Sequence, residues 1–173
     1  MTLRNGLVAA LLAFSLGSAA QQARAGSLDA LSFLLGEWKS EGGGTPGEAA
    51  GGFTFARSLQ DRVVLRTSHA DYPAQQGRPA SRHDDLMVVY ATEAGEIRAD
   101  FYDSEGHVIR YAGTAAEGSL TLSSDPQAPG PRFRLSYTLG PQGVLAGRFE
   151  IAPPGKPEAF SQYLAWTARR VTP

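Results

Sequence analysis

Three histidines, His69, His83 and His107, are the side chains of this 173-residue chain best suited to chemistry near neutral pH. Asp71, Asp84, Asp85 and Asp103 stand within a few positions of them. Imidazoles beside carboxylates suit two tasks: holding zinc or another divalent metal, and moving a proton as an acid–base pair. The histidine spacing follows no established metal-ligand pattern, so the fold must bring at least two of them within bonding reach of one metal or water to make a site. Other chemistries are excluded outright. With no cysteine there is no thiolate nucleophile, no disulfide and no cysteine-held zinc or iron–sulfur cluster. The G-x-S-x-G elbow, the Walker loop, H-E-x-x-H and the dinucleotide fingerprint are all missing. Gly42-Gly43-Gly44 leads into no helix and reads as a flexible loop, not a phosphate cradle.

The elements that must position these residues are strands. Short stretches of alternating, β-branched or aromatic residues are punctuated by turn residues, which predicts strands at 37–41, 51–59, 61–70, 83–92, 96–103, 107–116, 119–124, 132–139, 143–151 and 159–170. Phe133, Leu135, Tyr137 and Leu139 against Arg132, Arg134, Ser136 and Thr138 is the clearest alternation. Ser27 as N-cap and Gly36 as stop predict one short helix over Leu28–Leu35. Ten strands joined by hairpins without helical crossovers predict an all-β, antiparallel up-and-down β-barrel, whose closure removes exposed edges. In such a meander the connections alternate between ends. The tight ones, near 59–61, 93–95, 117–118 and 140–142, share one end. Longer ones, near 42–50, 71–82, 125–131 and 152–158, share the other with 104–106, and all three histidines belong there.

One face of the strands is expected to line a lumen. Phe53, Phe55, Leu65, Thr67, Phe133, Leu135 and Tyr137 would make it apolar with occasional hydroxyls, room enough for a small ligand. Arg148 and Tyr163 are further candidates for ligand contact, while Arg98, Asp100 and Tyr102 read as a solvated face.

Residues 1–25 read as an export signal. Arg4 gives the positive start, Leu7–Leu16 the apolar run, and Ala23-Arg24-Ala25 the cleavage pattern, with Ser18-Ala19-Ala20 as a second candidate. The run is short of the ~20 apolar residues of a membrane span. Cleavage after Ala25 removes two arginines and no acid, so the 148 residues left of 173 carry −3 where the whole chain carries −1. A mildly acidic domain has no general attraction for nucleic acid. The destination expected is periplasmic or extracellular, with 26–173 forming one domain held by its core alone.

Gly36-Glu37-Trp38, directly after the short helix, resembles the G-x-W signature of calycins, the superfamily of lipocalins, fatty-acid-binding proteins and nitrobindin-like barrels. The stretch Phe33-Leu34-Leu35-Gly36-Glu37-Trp38 is similar to the start of nitrobindin-like and related exported bacterial barrels. The resemblance implies that Trp38 packs across the closed end against an arginine of the last strand, Arg169 or Arg170. It also implies haem as a possible cofactor, although nitrobindin-like barrels use a last-strand histidine and this chain has Gln162-Tyr163-Leu164-Ala165 there. Tyrosine can ligate haem iron, which would make Tyr163 the substitute. Together these features lead to the expectation of an exported barrel carrying a small hydrophobic or amphipathic ligand, with no cofactor required. A haem-binding barrel, and a metal- or His/Asp-dependent enzyme at the long-loop end, are the alternatives.

Overall fold

The computed structural model describes residues 28–41, 50–75, 77–126 and 129–171. The export segment 1–25, the Ser27 cap and the glycine run 42–44 lie outside them. The ten strands are β1 (Gly36–Glu41), β2 (Ala50–Ser58), β3 (Val63–Tyr72), β4 (Ser81–Ala91), β5 (Ile97–Asp103), β6 (Val108–Ala116), β7 (Ser119–Ser124), β8 (Arg132–Leu139), β9 (Leu145–Ala152) and β10 (Ser161–Arg170). Each pairs antiparallel with its chain neighbours, and β1 pairs with β10 through Trp38 opposite Arg170, closing the barrel. No edge strand is left among the described residues. No helix among them is long and apolar enough to cross a membrane.

The tight end is built as the turn residues require. Glu117-Gly118 and the reversal at Gly140–Val144 use positive-φ residues at Gly118, Gln142 and Gly143. Of the short helix expected over Leu28–Leu35, the described residues show helical Leu28 and Asp29, a turn, and a 3₁₀ turn at Ser32–Leu34. Leu28, Leu31 and Leu34 are buried there against the barrel floor. Trp38 lies across that floor, 1% exposed, and its Nε1 donates to the Leu34 carbonyl at 2.7 Å. The Arg170 guanidinium covers the indole at 4.4 Å and donates to the Phe33 carbonyl at 2.9 Å. Gly36 is required for this arrangement twice over. Its φ is +113°, and a Cβ there would stand 2.6 Å from an Arg170 guanidinium nitrogen. Of the two arginines expected as the Trp38 partner, Arg170 is the one; Arg169 points outward and meets Glu41 at 3.1 Å.

Register assigns every other side chain to the lumen. At the lower level Phe55, Val64, Met87, Val89, Ala99, Tyr111, Leu120, Leu122, Tyr137, Leu145 and Ala168 are sealed from solvent and fill the barrel. Phe53, Phe55 and Tyr137 are edge-packed neighbours in this layer, with centroids 5.5–6.1 Å apart. Their expected place in the lumen is correct, but they form its packed floor and not the wall of a cavity.

The 153–160 connection folds back along the outside of β8 and β9. Arg132 pairs with Glu158 at 2.6 Å, and the Arg134 guanidinium lies 4.2 Å from the Phe160 ring centre. Under this strap Arg134 grips Glu150 with two hydrogen bonds, at 2.7 and 2.9 Å. Glu150 and Ala152 are therefore buried although they face away from the lumen.

Candidate functional site

Towards the long-loop end the inward residues stop sealing one another. Phe101, Ile109, Phe133, Phe149 and Trp166 are only partly covered, and Leu164 is exposed. Their strand partners fix their direction. Phe101 stands opposite buried Met87, Phe149 opposite Leu135, and Trp166 opposite Gly147, itself the neighbour of Tyr137. The result is a cup, apolar on the β5–β6 and β8–β10 sides, above a packed floor. Phe133 and Phe149 stack at 5.8 Å, and Trp166 meets Tyr137 edge-on at 6.1 Å. Gly147 is needed because the Trp166 indole occupies the space of any Cβ there.

The opposite wall is polar. Arg66 on β3, 7% exposed, forms an ion pair with Asp85 on β4 and lies 5.4 Å from the Phe53 ring centre. Arg66 Nε and the Tyr137 hydroxyl are buried without a hydrogen-bond partner among the described residues. Burial pushes Tyr137 up to about 12, the Arg66 charge pulling the other way and Asp85 adding to the rise. Burial likewise raises Tyr111, so both phenols stay protonated at any physiological pH.

The placement of β3 corrects part of the expected lining. The strand presents Val64, Arg66 and Ser68 inward, which turns Leu65 and Thr67 outward; Thr67 is exposed. The run Val63-Val64-Leu65 offers apolar residues in both phases, and Arg66 can be buried only because Asp85 on another strand neutralises it. Arg148 also faces out, beside Ser136, and is exposed. Arg98, as expected of a solvated face, is outside and pairs with Asp125.

Of the three histidines, two are gathered and one is not. His69 shares β3's outward phase with Thr67, and its nearest acid is Asp71 at 3.9 Å. There it borders a hollow of about 230 Å³ over Gly52, lined with Thr54, Thr67, Arg82 and Asp84. A second hollow of about 610 Å³ lies at the rim beside Tyr72, Pro73 and Ala80. His83 and His107, by contrast, converge on Asp103 and Glu105 at the cup's mouth. His83 Nδ1 is 3.3 Å from Glu105 Oε1, and His107 Nδ1 is 2.8 Å from Asp103 Oδ2. The β5–β6 turn achieves this through Asp103, whose Oδ1 accepts from the backbone N–H of Glu105 and of His107 at 3.0 and 2.9 Å. Burial alone would raise Asp103, but those N–H groups and the His107 imidazole outweigh it and hold the carboxyl below its ordinary value. The same hydrogen bond raises His107. Asp84 faces outward to Arg82, and Asp85 belongs to Arg66.

Tyr163 sits at a bulge between Gln162 and Leu164, 66% exposed, with its ring edge-on to Phe149 at 6.3 Å. A phenol held there does not fit an axial haem ligand. His83, the inward histidine, is engaged with Glu105 at the rim.

No protein-family model matches this chain, and no curated protein does. The structure of Rv2717c from M. tuberculosis matches with a TM-score of 0.58 at 18% identity, covering 84% of this chain and 98% of that one. At that identity the likeness shows the ten-stranded closed barrel, in keeping with a calycin-like fold, and nothing about activity.

Proposed function

We propose that this protein is an exported barrel that binds a small hydrophobic or amphipathic molecule in the cup above its packed floor. The observation that carries the reading is the half-covered ring of Phe101, Ile109, Phe133, Phe149, Leu164 and Trp166. Below them the inward residues are sealed, so the apolar surface left uncovered is gathered at the open end of the lumen. Concave apolar surface with a few polar groups at one side is the form that small-molecule sites take.

The polar wall narrows the ligand class. Arg66 and Asp85 cancel in charge, so a second carboxylate beside them would gain from one and lose to the other. An uncharged oxygen, carbonyl or hydroxyl, suits the site better. Arg66 Nε and the Tyr137 hydroxyl lie sealed in the floor below, and buried donors of this kind are completed by a bound water. Export rests on the residue pattern of 1–25, and the mildly acidic domain suits a soluble carrier. Native mass spectrometry of protein recovered from the periplasm tests both parts. A co-purifying neutral amphiphile on a chain beginning near Gly26 is the expected result; an unprocessed chain, or one that takes up no amphiphile on titration, contradicts it.

A further inference from the structure

The lumen reading leaves one cluster unused, and its chemistry is different. His83, Asp103 and Glu105 each offer a ligand atom, and these atoms all lie within 4.8 Å of one another. Tetrahedral ligation at ~2.0–2.1 Å places donors roughly 3.3 Å apart, the separation already seen between His83 Nδ1 and Glu105 Oε1 at 3.3 Å. Two carboxylates and an imidazole are therefore one small side-chain adjustment from a shared ion.

Charge points the same way. Among the described residues the ion-pair partners of Asp103 and Glu105 are His83 and His107 alone; no lysine or arginine neutralises them. The nearby arginines are committed elsewhere, Arg66 to Asp85 and Arg82 to Asp71 and Asp84.

The frame is built as well. The Asp103 side chain is 6% exposed and is held by two backbone N–H groups and by His107. The β5–β6 turn is tied to β4 by the Ser104 N–H donating to the Asp84 carbonyl at 2.9 Å. That bond sets Glu105 beside His83 across the strand pair.

We propose that His83, Asp103 and Glu105 form a binding site for a divalent transition-metal ion at the mouth of the barrel, with His107 as the positioning residue that orients Asp103. The mixed imidazole and carboxylate set suits zinc, cobalt or manganese and not calcium, which takes oxygen ligands. Three protein ligands leave at least one coordination position free. Ligating carboxylates are themselves held by hydrogen bonds, and for Asp103 the His107 imidazole outside the ligand set supplies one.

The test is calorimetric titration of chelator-treated protein with zinc chloride, with cobalt absorption in the visible as a second readout. The wild-type protein is expected to bind one zinc ion per chain at micromolar concentration. His83→Ala and Glu105→Gln, each removing a ligand, should weaken binding by at least about 100-fold and alter the cobalt bands. His107→Ala should weaken it by about 10-fold, within the range for loss of an outer partner, and leave the bands in place. His69→Ala should bind as wild type. Circular dichroism of each variant separates loss of the site from loss of the fold, and Glu105, at 64% side-chain exposure, is the ligand whose replacement disturbs packing least. Wild-type protein that binds no zinc at millimolar concentration would overturn the proposal. So would undiminished binding by a folded His83→Ala/Glu105→Gln double variant.

Discussion

Arg66 is the residue on which the interior turns. A guanidinium this deeply buried persists because Asp85 faces it from the next strand. Removing one partner strands the other's charge, which costs about 3–5 kcal/mol, whereas replacing both with apolar residues of similar size is close to neutral. Asp85→Ala is therefore expected to lose that much in a urea titration, and Arg66→Met/Asp85→Leu to recover most of it. If the double variant keeps the stability while losing ligand, the pair serves binding and not folding. Glu150 behaves differently because its partner reaches it from the outer face. The bidentate bonds from Arg134 lower its pKa below the ordinary value of 4.5. A depressed carboxyl adds stability above that value, and the contribution fades as pH falls through the folded one. Glu150→Gln should cost about 1–2 kcal/mol at neutral pH, with the difference from wild type vanishing in melts run near pH 2.

Between elements, the closed end makes the most specific claim. The Trp38 indole, the Arg170 guanidinium and the Leu31–Leu34 plug form a stack that joins the first strand to the last. Truncating Trp38 to Ala should cost about 3–5 kcal/mol. Arg170→Ala loses a cation–π contact and one hydrogen bond, about 1–2 kcal/mol together. Arg169→Ala, which touches only an exposed acid, should change thermal unfolding by little. This corner was legible in the residues from the start, because Gly36 and Trp38 each have a local reason for their place. Strand positions were legible too: 119–124 and 132–139 coincide with β7 and β8, and the rest shift by one or two residues at their ends. The phase of β3 was not. Its sequence supports either face, and the deciding partner, Asp85, comes from another strand. The bulge at Tyr163 was equally hidden, since nothing in Gln162-Tyr163-Leu164 marks where pairing slips.

At the scale of the whole molecule, the barrel is two structures on one axis. The lower layer is a close-packed aromatic and aliphatic core, and the upper layer is a lined cup with a charged rim. The loop-length asymmetry pointed to this polarity, with the tight reversals at the packed end and the 73–80 and 153–160 connections at the open one. What it could not tell was which inward residues stay uncovered. That depends on Gly147 admitting the Trp166 indole and on Phe149 and Leu164 standing above that level, a matter of three strands in register. Gly147→Ala should cost about 1–3 kcal/mol through overpacking. Because the indole must then move, the tryptophan emission should also change.

For binding in the cup the protein carries its own reporter. It has two tryptophans: Trp38 is sealed under the floor, and Trp166 lines the cup. Titration with a neutral fluorescent amphiphile, following energy transfer from tryptophan, measures occupancy directly. The prediction is one-to-one saturation, with transfer largely lost in Trp166→Phe while binding persists. In Phe149→Asp, which sets a charge in the apolar wall, affinity should fall at least about 10-fold, or 1.4 kcal/mol. No saturable binding by the wild-type protein, or equal binding by a folded Phe149→Asp variant, would contradict it.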